Sequence, residues 1–273
     1  MKTFSKEIRQ SILFAMTLAC VAMAVSTFAS ASTIECSYTF TSGTGNTYLN
    51  FCVTANGNIT YLETPQGHAH IGGNGELSSF GEGYGICNVN PSVVEYHDYA
   101  GFGDSGNWQA PILVSKTATS VEIGRTTSDG AWTLTQTITL NAATPSIKIT
   151  LALKNNTRLP RTVYLLRYAD VDADASFTNN FDATRNSAAG WNSQGPGNAP
   201  SYGLQLQNVG TAGFGYTSGF AQTIPQGPNA CAFAFNAPGG APLIGIDGSV
   251  EMVYADTIAG KITKTANVTY RGF

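Results

Sequence analysis

Three carboxylates at alternate positions, Asp170, Asp172 and Asp174, follow Arg167-Tyr168-Ala169. Alternate side chains of an extended chain share a face, and where the chain leaves a strand such a trio can converge as hard oxygen ligands, which is calcium chemistry. Asn179, Asn180 and Asp182 lie close enough downstream to complete a shell. The run departs from an EF-hand loop, which wants Gly where Ala175 stands and a bidentate acid where Phe181 stands, so the expected site is irregular. The competing expectation is a solvated acidic strand end balanced by Arg167 and Arg185.

His68-Ala69-His70 sets two imidazoles at i and i+2, one face of a strand, and His97 is a third ligand that a neighbouring loop could bring to the same metal. Exposed loop histidines that bind nothing are the plainer reading. For proton transfer the surrounding stretch offers Glu76, Glu82, Glu95, Asp98 and Asp104 beside Tyr84, Tyr96 and Tyr99. A polysaccharide lyase or hydrolase would use one of His68, His70 and His97, with Tyr96 or Tyr99 and with Glu82 or Glu95, as proton shuttles. Trp108, Trp191, Tyr84, Tyr99 and Tyr202 fall in loop-like segments, where rings either stack on sugar faces or pack inward; Trp132 reads as core. There is no Gly-x-Ser-x-Gly elbow, and Gly72-Gly73-Asn74-Gly75 lacks the lysine and the helix of a phosphate-binding loop.

The elements that must hold these residues are strands. Val121, Ile123 and Arg125 alternate with polar positions up to the turn Ser128-Asp129-Gly130. The next strand puts Trp132, Leu134, Gln136, Ile138 and Leu140 on one face and a threonine ladder on the other. Ile147, Ile149, Leu151 and Leu153 form another inward row, and Val163, Leu165, Arg167 and Ala169 continue the meander. Earlier, Tyr48 to Thr54 and Asn58 to Leu62 flank an Asn56-Gly57 turn. The Gly-rich stretch Thr64 to Asp104 and the segment Asp170 to Pro200 read as loops, and the remainder, through Phe233, Ile244 to Ile246, Met252 to Tyr254 and Ile262 to Tyr270, as short strands. No helix of ordinary length, linker or repeat is predicted. The expectation is an all-β fold, a large antiparallel sandwich with long loops.

Lys2, Lys6 and Arg9 precede an apolar run from Ile12 to Val25 and the small residues Ala29-Ser30-Ala31, the layout of a secretory signal with cleavage after Ala31. The run is short for a membrane span, and Thr17 stands where a lipobox ending at Cys20 would want a large aliphatic residue. Residues 32–273 are then expected to form one secreted or periplasmic domain that does not insert in a membrane. Cys36, Cys52, Cys87 and Cys231 read as two disulfides, of three possible pairings; Cys36 with Cys52, across two strands and a turn, leaves Cys87 with Cys231. Charged residues make up 11% of the chain and the net charge is −3, which gives no basic field for nucleic acid.

The runs Gly81-Glu82-Gly83-Tyr84-Gly85-Ile86-Cys87, Arg125-Thr126-Thr127-Ser128-Asp129-Gly130 with Leu134-Thr135-Gln136, Arg167 to Asp172, and Phe181-Asp182-Ala183-Thr184-Arg185 resemble a family of secreted bacterial β-sandwich proteins of uncharacterised function. The likeness spans about Gly67 to Trp191 and implies no activity. The long meandering strands are also similar to the large sandwich of galactose mutarotases and related polysaccharide lyases, which implies carbohydrate handling. The functional expectation is a carbohydrate-associated binding domain with an extracellular glycan as partner and calcium as cofactor. A polysaccharide lyase or hydrolase, and a structural subunit of the cell surface, are the alternatives.

Overall fold

Period-two alternation survives into three dimensions most clearly at Trp132–Asn141, whose residues alternate between buried and half-buried along the whole strand. The structure is a computed structural model, and it describes residues 36–71, 81–100, 103–192, 201–210, 213–223, 229–236 and 242–273. The segment expected to be a signal, Glu76 and the Gly72–Gly75 run lie outside the described residues. All described residues belong to one compact unit, Ile34–Phe273. Among them no helix is long and apolar enough to cross a membrane.

Three antiparallel sheets make up the fold, which is all-β. The first contains β1 (Tyr38–Ser42), β2 (Leu49–Val53), β3 (Ile59–Glu63) and β4 (Ala69–Ile71), in that order. A six-stranded sheet uses β5 (Glu82–Asn88), β6 (Val94–Tyr99), β7 (Gly103–Asp104), β12 (Arg161–Asp170), β16 (Tyr216–Thr223) and β18 (Gly248–Ile258), in the order β16-β18-β12-β5-β6-β7. The remaining strands are β8 (Ile112–Lys116), β9 (Ser120–Thr126), β10 (Trp132–Asn141), β11 (Ser146–Asn155), β13 (Asn179–Thr184), β14 (Ser187–Asn192), β15 (Gly203–Asn208), β17 (Leu243–Ile246) and β19 (Thr263–Gly272). They form a nine-stranded sheet, ordered β17-β13-β14-β15-β19-β11-β10-β9-β8. One core joins all three: Phe51, Ile59 and Leu62 from the first sheet, Leu134, Leu151 and Val268 from the nine-stranded one, and Ile86, Leu165 and Met252 from the six-stranded one.

Four sequence expectations need correction. The meander β9-β10-β11 does not continue into β12, which crosses to the other sheet and pairs with β5 and β18. The Gly-rich stretch 64–104 is largely strand rather than loop, because its glycines clear room for neighbours. A side chain at Gly83 would meet Asp98 O at 1.9 Å, and one at Gly85 would meet Ala230 Cβ at 2.7 Å. The segment after Asp170 likewise contains β13 and β14. Around Phe233 the chain forms a short helix, α1 (Ala230–Asn236), rather than a strand. Both expected disulfides are present, Cys36–Cys52 and Cys87–Cys231, and the second ties α1 to β5. Two disulfides point to an oxidising, extracellular or periplasmic environment.

The six-stranded sheet has two unlike faces. Its inner face carries charge into the core. Arg167, fully buried, donates from Nε to Glu82 Oε1 at 2.8 Å and from Nη1 to Gln136 Oε1 at 2.5 Å, so β12 is bolted to β10 of the opposite sheet. Tyr270 OH donates to the same carboxylate oxygen at 2.6 Å, and Ile59 N donates to the other at 2.6 Å. A parallel cluster pairs Arg125 with Asp98 and, at 3.0 Å, with Asp104. These bonds fix the sheets, and they account for several carboxylates that sequence alone made available for chemistry.

Candidate functional site: the outer face of the six-stranded sheet

Residues one position out of phase with the core row face the opposite way. On β6 these are Glu95, His97 and Tyr99; on β12, Tyr168 and Asp170; on β18, Ser249 and Glu251, with Glu251 directly across from Tyr168. The His97 ring stacks on Tyr99 with centroids 5.3 Å apart, and Tyr99 packs on Tyr168 at 5.2 Å. Glu95 Oε2 lies 2.8 Å from His97 Nδ1, and the same oxygen accepts a bond from the Ala230 amide of α1 at 3.3 Å. The outer face is therefore a continuous polar and aromatic row, capped at one end by α1.

Glu251 is the odd member. It is fully buried, and among the described residues neither carboxylate oxygen has a hydrogen-bond partner. Burial alone pushes its carboxyl well above the usual range. Burial also raises the Tyr99 hydroxyl, and the Glu251 charge adds to that; the Tyr168 hydroxyl is raised by burial, with Asp170, Glu251 and Asp247 contributing. An acid whose folded-state pKa is raised binds its proton more tightly folded than unfolded. Its stabilising contribution is full below about pH 4.5 and is lost as pH rises toward the folded value. Glu251→Gln should remove that loss. Chemical denaturation of both proteins between pH 5 and 7 is expected to show the wild type falling relative to the variant, by up to about 1.4 kcal/mol per pH unit. Parallel curves would mean that the carboxyl is not held protonated.

At the far end of the row three carboxylates meet. One oxygen from each of Asp170, Asp172 and Asp247 lies within 4.8 Å of the others. Asp170 closes β12, Asp172 enters a 3-10 turn at Ala173–Ala175, and Asp247 sits between β17 and β18. Burial pushes Asp172 up to about 6, with the Asp247 charge adding to it, and burial raises Asp247 as well. Asp170 and Asp172, which the sequence grouped, lie together here, but the rest of that expected ligand set disperses. Asp174 turns to His68, whose Nδ1 is 2.9 Å away, and Asp182 is exposed and accepts a bond from the neighbouring Ala183 amide. Asn179 stays close, donating from Nδ2 to Val171 O at 2.9 Å. Asp247 was missed because nothing near it in sequence marks a site.

The other sequence candidates separate. His68 stacks on the Tyr202 ring at 3.5 Å, whereas His70 is fully buried and its Nε2 lies 2.6 Å from Thr64 O, so the i, i+2 pair does not converge on one ligand. Both belong to the first sheet and its approach, and His97 belongs to the six-stranded one. Glu82 is committed to Arg167, and Tyr96 OH to Asp129 Oδ2 at 2.7 Å on the inner side. Of the proposed proton shuttles, Glu95, His97 and Tyr99 share the outer row. Tyr84 and Trp108 are core residues, in edge contact with centroids 5.6 Å apart, so their faces are not open platforms. Trp191 lies half-buried on β14.

With this geometry in place, the chain can be compared with solved structures. Its fold is similar to that of a bacterial glucoamylase. That protein, complexed with acarbose, aligns at a TM-score of 0.55 and 10% identity, over 88% of this chain and 32% of the other. A polysaccharide lyase aligns at 0.48 and 10% identity, over 85% and 33% of the two chains. A putative aldose 1-epimerase from Escherichia coli K12 aligns at 0.45 and 12% identity, over 86% and 99%. The glucoamylase alignment establishes a shared fold, and the chain spans about a third of that protein's length. No family model and no curated protein matches the chain, so the resemblance to a family of secreted sandwich proteins stands without such a match.

Proposed function

We propose that this protein is an exported carbohydrate-associated binding domain and that the outer row of the six-stranded sheet, His97, Tyr99, Tyr168 and Glu251, is where a glycan is held. The observation that carries the reading is Glu251, a buried carboxyl with both oxygens unpartnered beside two tyrosines. Leaving such a group unmet costs about 1–3 kcal/mol, a penalty that sugar hydroxyls, which both donate and accept, would relieve. Tyr99 and Tyr168 are as buried as Tyr84 and Trp108, so a sugar reaches Glu251 only where the cover over this face opens. The fold shared with a glucoamylase seen with acarbose supports the same direction. The signal-like N-terminal segment and the two disulfides support export.

The test is a glycan array on the oxidised protein, followed by calorimetry with the best ligand. Binding without turnover is expected, and Glu251→Gln should weaken it about 10- to 100-fold, the loss of one or two hydrogen bonds to a buried acid. Absence of binding to any glycan would overturn the function. Binding that Glu251→Gln leaves intact would move the seat elsewhere, first to the polar hollow lined by Arg185, Asn186, Asn208 and Tyr216.

A further inference from the structure

The geometry points to a calcium site built from Asp170, Asp172 and Asp247, at the junction of β12 and β18. Three observations converge on it. The first is spacing. Calcium takes oxygens at 2.3–2.6 Å, so two ligands on opposite sides of one ion are about 4.6–5.2 Å apart, whereas the shorter bonds of magnesium bring that limit to about 4.2 Å. Carboxylate oxygens that all lie within 4.8 Å of one another are near enough to share one cation, and an all-oxygen donor set suits calcium.

The second observation is an unmet acceptor. Asp172 is 7% exposed, and among the described residues its Oδ1 has no hydrogen-bond partner. Among the described residues neither Asp172 nor Asp247 forms an ion pair with a lysine, arginine or histidine. Gathering carboxylates without a cation is unfavourable, since each raises the cost of ionising the next. Glu82, Asp98 and Asp104, by contrast, each have an arginine.

The third is a further oxygen at the same turn. Asn179 is fully buried, and its Nδ2 is anchored on the carbonyls of Val171 and Ser176. Its Oδ1 is buried and has no partner among the described residues. The amide is thereby held against Val171, the residue between Asp170 and Asp172. Asp247, in contrast, is exposed, so the site has an entrance from solvent.

The site does not depend on the glycan reading, and its test does not require a sugar. Native mass spectrometry of the oxidised full chain, with and without chelator, is expected to show one calcium per molecule. Calorimetry should show that ion lost or weakened at least tenfold in Asp247→Asn and unchanged in Asp182→Asn. Thermal unfolding separates a ligand from a merely structural acid. Calcium should raise the Tm of the wild type and leave that of Asp247→Asn unmoved, while in chelator the variant should be at least as stable as the wild type because a repulsion has been removed. Asp172→Asn provides the same comparison from the buried side. No calcium at millimolar concentration, binding that survives Asp247→Asn, or tighter binding of magnesium than of calcium would each overturn the assignment.

Discussion

Replacing Arg167 with methionine is expected to destabilise the protein by about 3–5 kcal/mol at pH 7, the range for removing one partner of a buried ion pair. The reason is what remains behind. Glu82 would keep its bonds from Ile59 N and Tyr270 OH but lose the cation beside it, at a position with no solvent exposure. Gln136 Oε1 and the Gly57 carbonyl would lose their donors too. The first sheet, the six-stranded sheet and the nine-stranded sheet meet at this guanidinium, so the damage is shared by all three. Urea denaturation should show the loss, and Arg167→Met with Glu82→Met should recover much of it, since the uncompensated charge is then gone. A double variant no more stable than the single one would mean that Arg167 matters for shape and not for charge. The single variant should also regain stability as pH falls, because burial raises the Glu82 carboxyl and Arg167 is what opposes this.

Removing the Cys87–Cys231 disulfide as the Cys87→Ala/Cys231→Ala pair is expected to cost about 5 kcal/mol by chain-entropy arguments. Its sequence separation is 144, against 16 for Cys36–Cys52, whose removal should cost about 3 kcal/mol. The long bridge also holds α1 over β5, where Ala230 packs against Gly85 and Glu95 accepts the Ala230 amide. Two readouts follow. Denaturation should rank the two double-alanine variants in that order, and limited proteolysis should cut near α1 first in the variant lacking the long bridge. Equal losses would show that the bridge acts on the folded state locally rather than by restricting the unfolded chain.

What could be read from the sequence was what is written locally. The β10 row from Trp132 to Leu140 announced itself by period two, the Asn56-Gly57 turn by its residues, and the Cys36–Cys52 pairing by the hairpin between. Asp170 and Asp172 were found together because they are neighbours; Asp247 joins them only through the pairing of β12 with β18. Strand β5 was missed because its glycines have low strand propensity, and their reason lies in Tyr99 and Ala230, far away in the chain. Glu251 looks like any solvated acid on a strand. Only the folded chain shows that its side of the sheet is covered. Tyr84 and Glu82 fell on the inner face of β5 for the same reason that Gly83 and Gly85 fell on the outer one, a phase that a Gly-rich run does not reveal.

The position of β19 sets the order in which this molecule can be made. It lies between β15 and β11, so it is the seam that joins β17-β13-β14-β15 to β11-β10-β9-β8. Every other strand of that sheet precedes it in the chain. Until residues 263–272 leave the ribosome, the sheet consists of two four-stranded halves with raw edges, and the row Ala266, Val268 and Tyr270 is missing from the core. Closure by such distant pairings is slow. A nascent chain of this design keeps its nine-stranded sheet open until β19 is available to close the seam.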